Sequence, residues 1–230
     1  MELKRVVITG IGTINPIGNN IPEYFDNLVA GKSGADWITR FDASLFKTRF
    51  ACEIKGYSPE KFGLDKKESR RNDLFTQYAL VASDEAIRDS HLDLDALDKD
   101  RAGVIVGSGI GGVETLFKEI KDYCDGGYEP RFSPFLVPMM IPDIAAGMIS
   151  IKYGFRGPNY ATVSACSTSN HAMSDAFAMI RLGKADVMIT GGSEAPITIP
   201  SIGGFNSAKA ISTNNEEYKT ASRPFDRTRD

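Results

Sequence analysis

Short β-branched runs that stop at glycine or small residues alternate along this chain with segments of helical periodicity, and that alternation limits the fold more than any other feature. Arg5 to Thr9 (RVVIT) ends at Gly10 and Gly12. Ala102 to Val106 ends at Gly107, Tyr160 to Ser164 runs into Ala165, and Asp186 to Thr190 ends at Gly191-Gly192. Each reads as a buried strand. Between them, Pro22 to Ala30, Lys66 to Arg88, Val113 to Tyr123, Asp143 to Tyr153 and Ala165 to Leu182 have apolar residues at helical spacing. Strands alternating with helices predict an α/β fold with a mainly parallel sheet covered on both faces. The stretch from Lys32 to about Asp65 reads as irregular, and Ser201 to Asp230 as a polar, loop-like tail.

Composition narrows the function class. The 230 residues carry a net charge of −3, which excludes nucleic-acid binding driven by bulk positive charge. At roughly 150 residues per domain the length corresponds to one large domain or two small ones. The most apolar stretch, Pro134 to Ile151, is interrupted by Pro138, Pro142 and Asp143, so no membrane span is expected. The start, MELKRVVITG, has too short an apolar run for a secretory signal, and a cytoplasmic setting is expected. Cys52, Cys124 and Cys166 are odd in number and widely spaced, which predicts neither a disulfide framework nor a metal site.

The pattern that carries chemistry is Thr162-Val-Ser-Ala-Cys166-Ser-Thr-Ser-Asn170, a predicted strand running directly into a helix with a cysteine at the turn. A thiol at a helix N-terminus faces the positive end of the macrodipole and unpaired N–H groups, which favour thiolate and can stabilise an oxyanion. The small residues Ser164, Ala165, Ser167 and Ser169 leave room for an extended substrate. On spacing alone, a cysteine facing the core between strand and helix is an equal reading. His171 lies about 140° beyond a full turn from Cys166 and points elsewhere, while His91 reads as a surface histidine near a helix end. Gly107, Gly109 and Gly112 match GxGxxG, but no acidic strand end follows at the dinucleotide spacing. The glycines then serve close backbone approach to some other group. Lys66, Lys67, Arg70 and Arg71 form a basic cluster, either a solvated helix face or a docking surface for an acidic partner.

Together these residues resemble the β-ketoacyl-[acyl-carrier-protein] synthases, most closely the type II long-chain elongating enzymes. The motifs are Val6-Val-Ile-Thr-Gly-Ile-Gly12 with Pro16-Ile-Gly18, Gly107-Ser-Gly-Ile-Gly-Gly112, Ser133-Pro-Phe with Pro138, and Tyr153-Gly-Phe-Arg-Gly-Pro158. Ala165-Cys166-Ser-Thr-Ser-Asn, Ala185-Asp-Val-Met-Ile-Thr-Gly-Gly-Ser-Glu194 and Ser222-Arg-Pro-Phe-Asp226 complete the set. The resemblance covers the whole chain. It implies a thiolase-like layered αβαβα architecture, in which each of two similar halves supplies a five-stranded sheet and the Cys166 helix is buried near the middle. Residues 1–230 would be the N-terminal synthase domain, with the C-terminal half absent from this chain. The resemblance makes Cys166 the nucleophile that takes an acyl chain from acyl-carrier protein. It places Ile110, Leu136 and Phe205 along the acyl pocket, Leu136 reaching across a homodimer interface, and Lys67, Arg70, Arg71 and Lys209 against the acidic carrier. No cofactor is implied beyond the carrier's phosphopantetheine, and no metal. The family's two histidines and lysine for condensation have no counterpart here. Three other readings remain: a non-catalytic partner subunit of the same fold, like the chain-length factors, which usually lack the cysteine; a thiolase or starter-unit synthase; and a nucleotide-dependent oxidoreductase resting on GxGxxG alone.

Overall fold

The computed structural model describes residues 3–230, which divide into two compact units, residues 3–12 with 58–195 and residues 13–57 with 196–230. In chain order the elements are α1 (Ile21–Val29), β1 (Asp36–Trp37), β2 (Phe50–Ala51), α2 (Lys66–Ser69), α3 (Leu74–Asp89), β3 (Ala102–Gly107), α4 (Val113–Asp125), α5 (Leu136–Met140), α6 (Ile144–Tyr153), β4 (Asn159–Tyr160), α7 (Thr168–Arg181), β5 (Val187–Gly192) and α8 (Ile199–Ser207).

The larger unit is a parallel sheet of order β4-β3-β5 between helices. The central strand β3 is buried along its whole length and pairs with β5 from Ala102↔Val187 to Gly107↔Gly192. Its side chains alternate between the faces, as a strand must. Ala102, Val104 and Val106 join Phe75, Ala145, Ala146 and Ile149 from α3 and α6. Ile105, on the other face, packs with Ala172 and Ala176 of α7. Fully buried Phe75, Ile105 and Ile149 contribute about 1.5–3 kcal/mol each by leaving water. The expected α/β class and the parallel sheet are therefore present.

Several expected boundaries move, each for a local reason. The long helix over Lys66 to Arg88 is two helices. Asp65 caps α2 through the N–H groups of Lys67 and Glu68, and Asp73 caps α3 through that of Phe75. Between them Gln77 Nε2 donates to the carbonyls of Ser69 and Asn72, so side chains satisfy the backbone that a continuous helix would have used. The segment Arg5 to Thr9 forms no strand. It is held by Lys4 N–H to the Arg181 carbonyl and by Ile11 N–H to Asp89, and Ile8 is 84% exposed. What Gly10 and Gly12 provide is contact: a Cβ on Gly12 would lie 2.0 Å from the Ala82 carbonyl oxygen of α3. The strand over Tyr160 to Ser164 is only β4, because Thr162 Oγ1 donates to the Thr168 carbonyl and Ser164 N–H donates to Thr168 Oγ1, which turns the backbone out of the ladder. The described sheet thus has three strands rather than five. The helix expected from Ala165 starts as a single 3-10 turn, Ala165–Ser167, before α7.

The resemblance also places the Cys166 helix in the interior. In this chain α7 covers the sheet with Ala172 and Ala176 but leaves Met173 and Phe177 43% and 47% exposed, because no described element packs on that side.

In the smaller unit, α1 is capped by Asn20, whose Oδ1 accepts from Glu23 N–H, while Glu23 Oε2 accepts from Asn19 N–H. The irregular segment after it contains the antiparallel pair β1 and β2, and Tyr218 lies against Trp37 and Phe50 with ring centroids 5.1 and 6.2 Å away. The tail is not simply a loop. Thr198 caps α8 and Pro200 fills its first turn, signals masked by the interior pair Gly203-Gly204.

Candidate functional site

Three segments of the larger unit converge at the C-terminal edge of its sheet. The first is the turn bearing Cys166. Ala165 adopts φ +51°, a left-handed conformation that costs a non-glycine residue energy and is held here by the surrounding structure. Ser167 N–H donates to the Ser164 carbonyl and Thr168 N–H to that of Ala165, closing the 3-10 turn that presents Cys166 at the surface, exposed, just ahead of α7. Among the described residues no group takes the N–H of Cys166, the donor nearest its own sulfur. His171 is occupied elsewhere, its Nδ1 sharing a 2.6 Å hydrogen bond with Ser164 Oγ.

The glycine loop that follows β3 is the second. A Cβ on Gly107 would fall 2.3 Å from Thr168 Cγ2 and 2.6 Å from the Thr162 carbonyl oxygen, and one on Gly109 would fall 3.2 Å from the Ala165 carbonyl oxygen. The loop therefore backs directly onto the cysteine turn, and side chains there would separate the two. It is no phosphate cradle. Gly109 N–H and Ser108 Oγ–H both donate to the carboxylate of Glu194, at 2.7 and 2.8 Å, which places an anion where a pyrophosphate would have to bind.

The third is α5. Gly112 N–H donates to the Met140 carbonyl, and a Cβ on Gly112 would sit 2.0 Å from that of Met139, so α5 rests on the glycine loop. Ile110 at the loop tip and half-buried Leu136 at the start of α5 are thereby carried on one framework with Cys166.

The basic residues fall beside it. Lys67 lies on α2, while Arg70 and Arg71 lie in the link to α3, and all three are exposed. The Arg71 guanidinium stands 5.0 Å over the ring of Phe135, next to Leu136. Below them, Asp73 is buried and accepts from both N–H and Oγ1 of Thr115 on α4. Burial pushes its carboxyl up, outweighing the Thr115 and Phe75 hydrogen bonds that pull it down. Of the other cysteines, Cys52 has its thiol pushed up by partial burial. Phe205, on α8, and Lys209, just past it, belong to the smaller unit. Among the described residues no cluster of His, Cys, Asp and Glu is placed to hold a metal, and no helix is long and apolar enough to cross a membrane. The sequence reading gave no role to Ser108 or Glu194, although both lie inside motifs it singled out; their signal is a pairing across 86 positions that only folding reveals.

A parallel sheet between helices, with its nucleophile candidate on a tight turn at the head of one of them, is the architecture of the thiolase-like ketosynthases. A crystal structure of a beta-ketoacyl synthase from Burkholderia phymatum STM815 superposes with a TM-score of 0.86 at 29% identity, over 99% of this chain and 56% of that one. A type II polyketide ketosynthase structure, AntDE:AntF, solved with its acyl-carrier protein, superposes at 0.76 and 25% identity, over 90% of this chain and 55% of that one. The chain belongs to the β-ketoacyl synthase family: residues 3–230 match the family model described as "Beta-ketoacyl synthase, N-terminal domain". The 3-oxoacyl-[acyl-carrier-protein] synthase 2 of Staphylococcus aureus (strain COL) is 49% identical over 227 residues, 99% of this chain and 54% of that protein. The chain thus spans about half the length of the curated relative it matches.

Proposed function

We propose that this chain is the nucleophile-bearing portion of a 3-oxoacyl-[acyl-carrier-protein] synthase of fatty-acid elongation. The observation that carries the reading is the exposed Cys166 on a strained turn, backed by the glycine loop with Ile110 at its tip. The Cys166 thiolate attacks the carbonyl carbon of an acyl-carrier thioester. The tetrahedral oxyanion is stabilised by the Cys166 N–H, and it collapses by breaking the carbon–sulfur bond to phosphopantetheine. The departing thiolate takes up a proton, leaving an acyl-enzyme. Ile110, Leu136 and Phe205 line the acyl chain, while Lys67, Arg70, Arg71 and Lys209 receive the acidic carrier protein. The name of the Staphylococcus aureus relative and the carrier protein in the AntDE:AntF complex support this assignment. The whole enzyme acts as a cytoplasmic homodimer with no cofactor of its own, and condensation with malonyl-carrier protein uses groups this chain does not carry.

The test is acyl transfer itself. Incubated with acyl-carrier protein, the chain gains the mass of one acyl group, mapped to Cys166 and lost in Cys166→Ala. Acylation at another residue, or none with a chain whose Cys166 still alkylates, rejects the assignment and favours a non-catalytic partner of the same fold.

A further inference from the structure

The loop between Gly107 and Gly112 is anchored at both ends and on both sides of Ile110, and one side chain makes the hold at its tip. Ser193 N–H donates to the Gly107 carbonyl, and Gly112 N–H to the Met140 carbonyl. Between these anchors, Glu194 Oε2 accepts from Gly109 N–H at 2.7 Å and Oε1 accepts from Ser108 Oγ at 2.8 Å. Ser108 Oγ in turn accepts from Gly111 N–H at 3.0 Å. The residues on either side of Ile110 are therefore fixed by one carboxylate, directly at Gly109 and through a buried hydroxyl at Gly111. Such charge-assisted bonds are shorter and stronger than neutral ones. Gly111 takes φ +73°, so the tip is a tight reversal with little freedom once both flanks are bound. A Cβ on Gly109 would stand 2.9 Å from Glu194 Oε2 and 3.2 Å from the Ala165 carbonyl oxygen. The loop therefore packs closely against both the carboxylate and the strained residue that precedes Cys166.

We propose that Glu194 is a positioning residue, which fixes the Ile110 tip and thereby sets how long an alkyl chain reaches Cys166. This rests on the reading of Ile110 as a wall of the acyl pocket. Without the carboxylate, Gly109 N–H and the Ser108 hydroxyl lose their partner together, and the segment between Gly107 and Gly112 is free to rearrange around its two end anchors. Ile110 then no longer stands in one place, and discrimination by chain length declines, whereas the turn that carries Cys166 keeps its own hydrogen bonds.

The experiment uses N-alkyl iodoacetamides with short and long alkyl chains on the full chain. The Cys166 thiolate displaces iodide, forming a carbon–sulfur bond, with neither carrier protein nor thioester involved. Rates are followed by intact mass, and exchange of the loop amides is followed in the same samples. Glu194→Ala should bring the ratio of long-chain to short-chain rates toward one by about fivefold, within the range that pocket contacts supply. Its rate with plain iodoacetamide stays within about twofold, and Gly109 and Gly111 amides exchange about tenfold faster. Glu194→Gln keeps one accepting oxygen and should fall between. Ser108→Ala should shift the ratio in the same direction, and the double variant should be no worse than Glu194→Ala. An unchanged ratio in Glu194→Ala, or an equal fall with every reagent, overturns the proposal. If Glu194→Ala does not fold, Glu194→Gln and Ser108→Ala decide by the same ratio. Failure of acyl transfer from carrier protein in the earlier test bears on the enzyme assignment alone, since these reagents bypass it.

Discussion

At the scale of single residues, the decisive contrast is among three cysteines on one chain. Cys166 sits on the turn before α7, with its own N–H untaken and small side chains around it, whereas burial raises the Cys52 thiol. Iodoacetamide should therefore modify Cys166 first, with Cys52 responding only at higher pH, when adducts are mapped by mass spectrometry across a pH series. Faster alkylation of Cys52 below neutral pH contradicts this. Asp73 gives a second pH effect. Its folded carboxyl titrates above the ordinary value of 3.8, so the negative charge is disfavoured by folding. The associated stability is fully present below that ordinary value and is lost as pH rises through the folded one. Relative to Asp73→Asn, the native protein should lose unfolding midpoint as pH rises through this range, read by thermal denaturation at several pH values. A gain relative to the variant would show that the hydrogen bonds from Thr115 and Phe75 outweigh the burial.

At the scale of elements, the division of one expected helix into α2 and α3 changes what the basic cluster is. Lys67 belongs to a four-residue helix and the two arginines to a link, so the cluster does not lie along one helix face. Arg71 also braces α5 through Phe135, and its loss disturbs Leu136 as well as the surface charge. Arg70 is the cleaner probe. Arg70→Glu should weaken association with acyl-carrier protein by about tenfold and flatten its salt dependence, because charged rim residues act on encounter. Alkylation of Cys166 by a small reagent should remain within about twofold. Arg71→Glu is expected to reduce both, and titration calorimetry beside the alkylation rate separates the two outcomes.

For the whole molecule, acylation and condensation make different demands. Forming an acyl-enzyme needs a sulfur nucleophile and an oxyanion donor, the two roles proposed above for Cys166 and its own N–H. Decarboxylating a malonyl thioester also needs groups that polarise its carbonyl and stabilise the developing negative charge. His171 is bound to Ser164, and His91 occupies a left-handed turn just past α3. Supplied with labelled acyl- and malonyl-carrier protein, this chain alone should accumulate acyl-enzyme while releasing neither carbon dioxide nor β-ketoacyl product. Steady turnover would require a base among residues assigned no such role above. The exposed Met173 and Phe177 face of α7 should also bind an apolar dye, and Phe177→Ser should reduce that signal without unfolding the chain.

What was legible in the sequence was whatever local chemistry dictates. The buried apolar run of β3, the helices α4 and α6, the glycines that end most of the apolar runs and a cysteine just ahead of a helix all follow from spacing within a few residues. So did α1, where an early Pro, an early Glu and an apolar face lie together. The tertiary structure decided what depends on partners distant in sequence. Arg5 to Thr9 has every local feature of a strand, yet it is held by the Arg181 carbonyl and Asp89 instead of by a ladder. The helix break at Asp73 is fixed in part by Thr115, and the glycine loop is filled by Glu194 rather than by a phosphate. Propensity acts through neighbouring residues along the chain, but hydrogen bonds and close backbone approach are set by which segments folding brings together. For that reason the cysteine could be found by reading and the carboxylate behind its loop could not.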